Sequence, residues 1–435
     1  MAAPSITLPF LSRYDPPGSG EGNLDPMGLY QISDQLAVAL VPAVRERMNR
    51  IRFLTAITVG TTLVDGMREP DGYRDASPFL VWEWLVVQSL IKSYGDDPDL
   101  RGVPGSMVTA RALRDQGYLD AAGYLKTPRI FGFHGIYKRL AIQLRLIDVN
   151  LGPGMDAGFL LDAWAKDRGY SSFKEAGPLT APWVAALTRS LKATPPRANA
   201  TWSVSEWKQL ADAFHPDQVG RHERKVLTTL LLNNGDRQLG AFADLWALLP
   251  DIDEEENNEA VLAKLGERAP RWAPLLGAIE AYEGFARRLQ DGFDALRTEA
   301  QQAGGTGFPI RLVEQSSPFK NAVSGLPEAF RKTSQKLATG GPEASACQVL
   351  FEERFGKFAT LQSAEGFARL VLEHHDAVQR SKSAEGKRSW FDRSGDDVVH
   401  LRLPYRLADW EPQPDAYVHP YRVGPVARFR EDLTQ

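Results

Sequence analysis

A chain of 435 residues carrying 51 Lys and Arg against 55 Asp and Glu is too long for one ordinary hydrophobic core, and its formal charge of −4 departs from that of a simple DNA-binding protein. With 43% hydrophobic and 24% charged residues it has the balance of a globular protein, and no run approaches the eighteen or more apolar residues of a membrane span. The single cysteine, Cys347, excludes an intramolecular disulfide framework or a Cys-based zinc cluster and reads as a small packed residue in CQVLF.

Residues 1–24 are rich in Pro, Gly and Ser and predict an extended arm. They lack a positive start followed by a long apolar segment, so no secretory signal is expected and the cytoplasm is the expected location. Asp25-Pro26 marks a helix start, and a helix over Gly28–Leu40 should end before Pro42, whose missing N–H and ring do not suit a helix interior. The next stretch, AVRERMNRIRFLTAITVG, places Val44, Met48, Ile51 and Thr55 in one helical stripe and crowds Arg45, Arg47, Arg50 and Arg52 into its first half. Residues 78–94, PFLVWEWLVVQSLIKSY, are apolar nearly all round, the pattern of a buried core helix in which Trp82 and Trp84 are packing residues.

From Gly105 to Asp148 a helical pattern, a Gly-bounded turn and a second, basic helical pattern follow in close order, which reads as a winged-helix or helix-turn-helix unit. Over 134–147 the residues Ile136, Tyr137, Leu140, Ala141, Leu144 and Ile147 recur at three- and four-residue spacing. At about 100° per residue, Lys138 and Arg145 then project opposite Leu140, with Arg139 at the flank. Between Arg101 and Asp148 there are eight Lys and Arg against three Asp and Glu, a local excess suited to a phosphate backbone. A solvated amphipathic surface helix has the same pattern, and that alternative stays open.

LGPGMDAG, residues 151–158, has no following Gly-Lys-Ser/Thr and reads as a loop rather than a phosphate-binding P-loop. The run KATPPRANATWS, 192–203, has linker composition and is expected to be an exposed domain boundary, open to proteases. DIDEEENNE, 251–259, reads as a solvated loop or helix start. Leu275, Ile279, Tyr282, Ala286, Leu289, Phe293 and Leu296 alternate four- and three-residue steps, a seam that needs a partner helix, and AGGTGF at 303–308 breaks the pattern. Ser363–Lys382 predicts a helix burying Phe367, Leu370, Val371, His374 and Val378, with His375, Gln379 and Lys382 on a neighbouring exposed stripe. Arg380, Lys382, Lys387, Arg388 and Trp390 form a second candidate nucleic-acid site, cations beside an aromatic ring able to stack on a base, although a flexible basic loop has the same composition. Val399 to Leu407 alternates as a half-buried strand that Pro404 would confine to an edge.

His374-His375-Asp376 is not joined by a second His/Asp set with metal-ligand spacing, no Gly-x-Ser-x-Gly elbow occurs, and no dinucleotide fingerprint is present, so neither metal nor cofactor is expected.

Three segments, DPMGLYQISDQLAVALVPAVRERMNRIRF, FGFHGIYKRLAIQL and LEHHDAVQRSKSAEGKRSWF, resemble in that order pieces of uncharacterised bacterial proteins encoded with helicases and nucleases in anti-phage defence islands. The resemblance implies a setting among nucleic-acid enzymes and carries no catalytic residues onto this chain. The expected architecture is mainly α-helical, with a winged-helix element and a short C-terminal β element. It divides into an arm (1–24), an N-terminal helical domain (25–100), a winged-helix-like domain (101–195), a helical domain (203–302) and a C-terminal helical domain with terminal strands (309–435). The expected function is a non-catalytic DNA-binding or adaptor subunit touching DNA phosphate through Arg129, Lys138, Arg139 and Arg145 and joined to other protein subunits such as a helicase or nuclease, with no membrane partner. A protein-binding scaffold and a nuclease with dispersed carboxylates are the alternatives.

Overall fold

The computed structural model describes residues 25–95, 100, 102–198, 201–233, 239–252, 256–382, 386–395, 397–413 and 416–434. The expected arm at 1–24 and part of the acidic run, 253–255, lie outside them. The chain is mainly helical, with one small three-stranded antiparallel sheet near its C-terminal region. No described helix is long and apolar enough to cross a membrane. Two compact units are present, neither a single continuous stretch: one joins residues 1–39 to 253–421, the other joins 40–252 to 422–435.

The helices are α1 (Tyr30–Leu40), α2 (Arg52–Val64), α3 (Pro78–Tyr94), α4 (Ser106–Asp115), α5 (Pro128–Phe131), α6 (Phe133–Gln143), α7 (Ala157–Lys166), α8 (Gly177–Lys192), α9 (Val204–Phe214), α10 (Arg221–Leu232), α11 (Phe242–Leu248), α12 (Asn258–Arg268), α13 (Ala273–Ala303), α14 (Ser317–Ser324), α15 (Leu326–Thr339), α16 (Pro342–Phe355), α17 (Ala364–Ser381) and α18 (Val423–Thr434).

In the unit containing 40–252, α3 fills the predicted span and is buried over most of its length, with Trp82 and Trp84 in the core. Trp82 packs with Trp183 and Phe214, and Trp164 stacks on Phe214 at 5.9 Å, so α3, α7, α8 and α9 share one aromatic centre. Gly60 of α2 lets the Trp82 ring lie against the backbone, because a Cβ there would collide with the indole, and Trp82 Nε1 donates to Ala56 O at 2.8 Å. Helix α2 starts later than expected. Ala43 adopts a left-handed φ of 65° and residues 43–50 form turns, so Val44, Met48 and Ile51 reach the core without the helical stripe that their spacing predicts. α9 opens with a capping box, Ser203 and Glu206 bonding each other's backbone N–H.

The segment expected to be an exposed linker is pinned inside this unit. Ala198 N donates to Leu119 O at 2.7 Å, Gln88 of α3 bonds both strands of that contact, and Asp120 pairs with Arg197 in an antiparallel bridge. Pro196 and Ala198 are buried, and the chain on both sides belongs to one unit. Lys192, Thr194, Pro195, Thr201 and Ser203 are exposed, as the composition predicts, but the backbone hydrogen bonds at 197–198 tie the segment to the unit instead of leaving it a free linker.

In the other unit, α13 is the spine. Its seam, Leu275 to Leu296, is buried against α12, α14, α15 and α17, so the partner helices are intramolecular. Asn257 caps α12 by accepting from Ala260 N, which makes the end of the acidic run a helix start. Residues 25–29 are tied down rather than helical. Asp25 accepts from Leu29 N and Tyr30 N, Gly28 takes a left-handed φ of 70°, and α1 begins only at Tyr30. The sheet runs β1 (Phe308–Pro309), β3 (Val398–Leu401), β2 (Phe391–Ser394), with Phe391 opposite Leu401 and Phe308 opposite Val399. β3 is therefore the central strand, not an edge; it ends at Leu401, and Pro404 lies beyond it in a 3-10 turn, Leu403–Tyr405.

Candidate interaction surface on the α5 to α7 segment

The basic helix anticipated over 134–147 is α6, and it is shorter. Thr127 and Pro128 start α5, Gly132 redirects the chain, and Gly135 is required because a Cβ there would lie 2.5 Å from the Arg129 carbonyl. The inward face of α6 is aromatic. Phe133 stacks on Phe53 of α2 at 5.2 Å, Tyr137 packs on Phe53 and on Phe429 of α18, and the Tyr137 hydroxyl accepts from Arg50 N at 2.9 Å. His134 lies on Phe79 of α3 at 4.7 Å, and burial, with Lys138 and Arg129 nearby, pushes its imidazole down to about 4.

α6 ends at Gln143. Leu144 caps it, and Arg145 turns to a left-handed φ of 58°. The chain then doubles back: Ile147 pairs with Pro153, Gly154 N donates to Leu146 O and Asp156 N to Arg145 O, while Asp148 Oδ1 accepts from Asn150 N and Gly152 N to shape the turn. Gly154 is needed because a Cβ would collide with the Arg145 carbonyl. The hairpin thus uses the LGPG run as a turn, as its composition predicts.

This geometry separates the four cations read from sequence. Lys138 is half-buried and Arg139 exposed on α6, neither with an ion-pair partner among the described residues. Arg145 does not project from the helix opposite Leu140; it lies outside α6, and its Nε bonds Asp156 Oδ2 at 3.2 Å. Arg129 on α5 is exposed, donates to Arg74 O at 2.8 Å and stands 3.8 Å from Glu69. Around the hairpin the side chains of Val149, Met155 and Phe159 are 79%, 85% and 66% exposed. Val149 lies in the 147–153 turn, Met155 just before α7, whose N-cap is Asp156, and Phe159 in the first turn of that helix. Of the three, only Met155 lies in the 151–158 stretch that the sequence marks as a loop, and composition gives no sign that any of them is exposed.

The second set of cations lies in the other unit. Arg380 is exposed in the last turn of α17. Lys382 Nζ donates to Asp25 O at 2.5 Å, and burial lowers its ammonium to about 8. Lys387 N donates to Gln379 O, and Arg388 stands 4.0 Å from Asp392. Trp390 is buried, stacked on Tyr405 at 4.5 Å with the Arg297 guanidinium 5.0 Å from its ring. His375 and Gln379 are fully buried, not on an exposed stripe. His375 bonds Pro26 O through Nδ1 and accepts Trp390 N–H at Nε2, so its second nitrogen anchors the chain leading into β2. His374 is packed as expected, its Nε2 on Met27 O.

Among the described residues no three His, Cys, Asp or Glu side chains form a group able to hold a metal. Cys347 is buried, its thiol donates to Gln35 Oε1, and burial raises its proton affinity to about 11. A small cleft of about 280 Å³ is lined by residues 72–76, 120–122 and 195–196. Comparison with known proteins gives no relative: no family model, no curated protein and no solved structure matches the chain.

Proposed function

We propose that this protein is a non-catalytic assembly subunit of a bacterial anti-phage defence or DNA-transaction complex, and that it holds a protein partner through Val149, Met155 and Phe159. The observation that carries this is their exposure on one short hydrogen-bonded hairpin and helix start. Large apolar side chains left in water on a hydrogen-bonded hairpin and the helix start that follows it are what an interaction site requires. The resemblance to defence-island proteins supplies the setting and the class of partner, a helicase or nuclease subunit. In this reading α4, α5, α6 and the 147–153 hairpin serve as a winged-helix-like element used for assembly; the segment 102–198 carries isolated β-bridges and no longer strand.

The test is calorimetric titration of the helicase or nuclease encoded by neighbouring genes against the wild type and the double substitution M155S/F159S. The expected result is a loss of at least about tenfold in affinity with an unchanged circular dichroism spectrum, since apolar anchors contribute on the order of 1–2 kcal/mol each. Equal affinity of the two proteins overturns the assignment. Metal-dependent DNA cleavage that co-purifies with the protein, and disappears on changing one carboxylate, would favour the nuclease alternative. A second reading, direct contact with DNA phosphate, is favoured by Lys138 and Arg139, adjacent cations on α6 with no carboxylate partner among the described residues.

A further inference from the structure

Glu83 is the one acidic residue in α3, and it is fully buried. Its Oε2 accepts from His134 N at 3.0 Å, and Phe133 N also bonds the carboxylate, so the group caps the first turn of α6 from a different helix. Oε1 accepts from the Tyr124 hydroxyl at 2.7 Å. Tyr124 packs against Gly105, where a Cβ would lie 2.5 Å from its ring, and its hydroxyl also points at Pro104 O, 3.4 Å away. One carboxyl therefore joins α3, the entry to α4 and the start of α6. Among the described residues no Lys or Arg pairs with it.

The charged groups on the elements packed against α3 are engaged elsewhere or exposed. Arg52 of α2 pairs with Glu223. Lys208 and Asp212 of α9 bond each other and Tyr94, and Glu206 bonds Ser203. Arg111, Arg114 and Asp115 of α4, Arg129 of α5 and Arg139 of α6 are exposed. Asp65, at the end of α2, and Arg189 and Lys192 of α8 are exposed too, while Lys138 of α6 is half-buried. His134, whose backbone N–H bonds the carboxylate, has its ring on Phe79 and is held neutral by burial.

We propose that Glu83 is a protonation-sensitive latch on the N-terminus of α6, in which proton uptake moves the Tyr124 hydroxyl bond from Glu83 to Pro104 O and weakens the hold on Phe133 and His134. In the ionised state the carboxylate accepts all its bonds. When Oε1 takes a proton from solvent, it becomes the donor to the Tyr124 oxygen, and Tyr124 donates to the Pro104 carbonyl within its reach. The Glu83 carboxyl and the Tyr124 hydroxyl keep a partner in both states, the Pro104 carbonyl gains one on protonation, and the charge facing the helix terminus is then lost. Burial without a cation raises the affinity of Glu83 for a proton to about 7, which puts the exchange near neutrality. The segment released is α5 with the first turn of α6, which carries exposed Ile130 and Phe131 and the cation Arg129.

Hydrogen exchange of the full-length protein at pH 6 and pH 8, corrected for intrinsic chemistry, tests this on peptides covering 128–140. Wild type is expected to lose roughly tenfold protection at pH 6, and E83Q, neutral throughout, to show the lower protection at both pH values. Y124F, which removes a donor to the carboxylate, should move the wild-type midpoint to higher pH. Unchanged wild-type protection between pH 6 and 8, or a wild-type pH profile in E83Q, overturns the latch. If E83Q does not fold, the infrared carboxyl band decides: a band whose titration near neutrality does not shift between wild type and Y124F rules the proposal out.

Discussion

Arg52 Nη1 bonds Glu223 Oε2 at 2.5 Å with both side chains fully buried, so α2 and α10 are held by a charge pair that water does not reach. Thr55 donates to the other Glu223 oxygen, so each carboxylate oxygen has a donor, and Arg52 Nη2 donates to Ala213 O. Breaking one side strands the other as an uncompensated buried charge. Glu223→Ala should destabilise the unit containing 40–252 by about 3–5 kcal/mol, read from denaturant unfolding. A cost below about 1 kcal/mol would mean that water or another group replaces the partner.

His375 predicts an acid sensitivity in the other unit. Burial lowers its imidazole to about 4 from the ordinary 6.5, so the folded state binds fewer protons than the unfolded state between those values. The stability contributed by the neutral ring is complete above pH 6.5 and is lost as pH falls toward 4, at up to about 1.4 kcal/mol per pH unit. Proton NMR of the His375 ring should show a midpoint near 4, with Trp390 fluorescence changing as the Nε2 bond to its backbone fails. A midpoint near 6.5 contradicts the burial.

The pinned segment before α9 yields a third expectation. Because Ala198 and Leu119 share a backbone hydrogen bond and Pro196 is buried, brief proteolysis should spare 193–198. Mass spectrometry of the first fragments checks this; an initial cut there would restore the linker that its Pro, Ala and Thr content suggests.

These corrections share a physical origin. α3 and α13 are legible because an apolar pattern over many residues leaves few alternatives; the residues that the spacing selects are buried, although α13 also buries Glu283, Asp291, Asp294 and Arg297, which it does not select. Arg145 is not, since a left-handed residue ends α6 one turn early while the apolar spacing continues through Leu146 and Ile147 into the hairpin. Trp390 and His375 are misplaced by polar neighbours whose character is local, whereas burial is decided by Phe293, Tyr405 and Pro26, which are distant in sequence. The contact units join 1–39 to 253–421, a closure that periodicity does not encode. Glu83 did leave a signal: it is the lone carboxylate in an otherwise apolar helix, and such a residue needs a buried partner.

The division of the first cation group gives the last expectation. If α6 touches DNA phosphate, K138A/R139A should lower the slope of log affinity against log salt by about two units on duplex DNA, roughly 0.9 for each contact. Arg145→Ala should act differently. Its guanidinium is bound to Asp156 on the hairpin, so its removal should leave the salt slope near the wild-type value and instead loosen the α6 to α7 turn. The expectation that all three act as one footprint requires them on one helix face, and Arg145 has left the helix. Measuring both variants over the same salt range separates the cases: equal slope losses per charge would place Arg145 at the phosphate, while no loss in K138A/R139A would assign α6 to assembly alone.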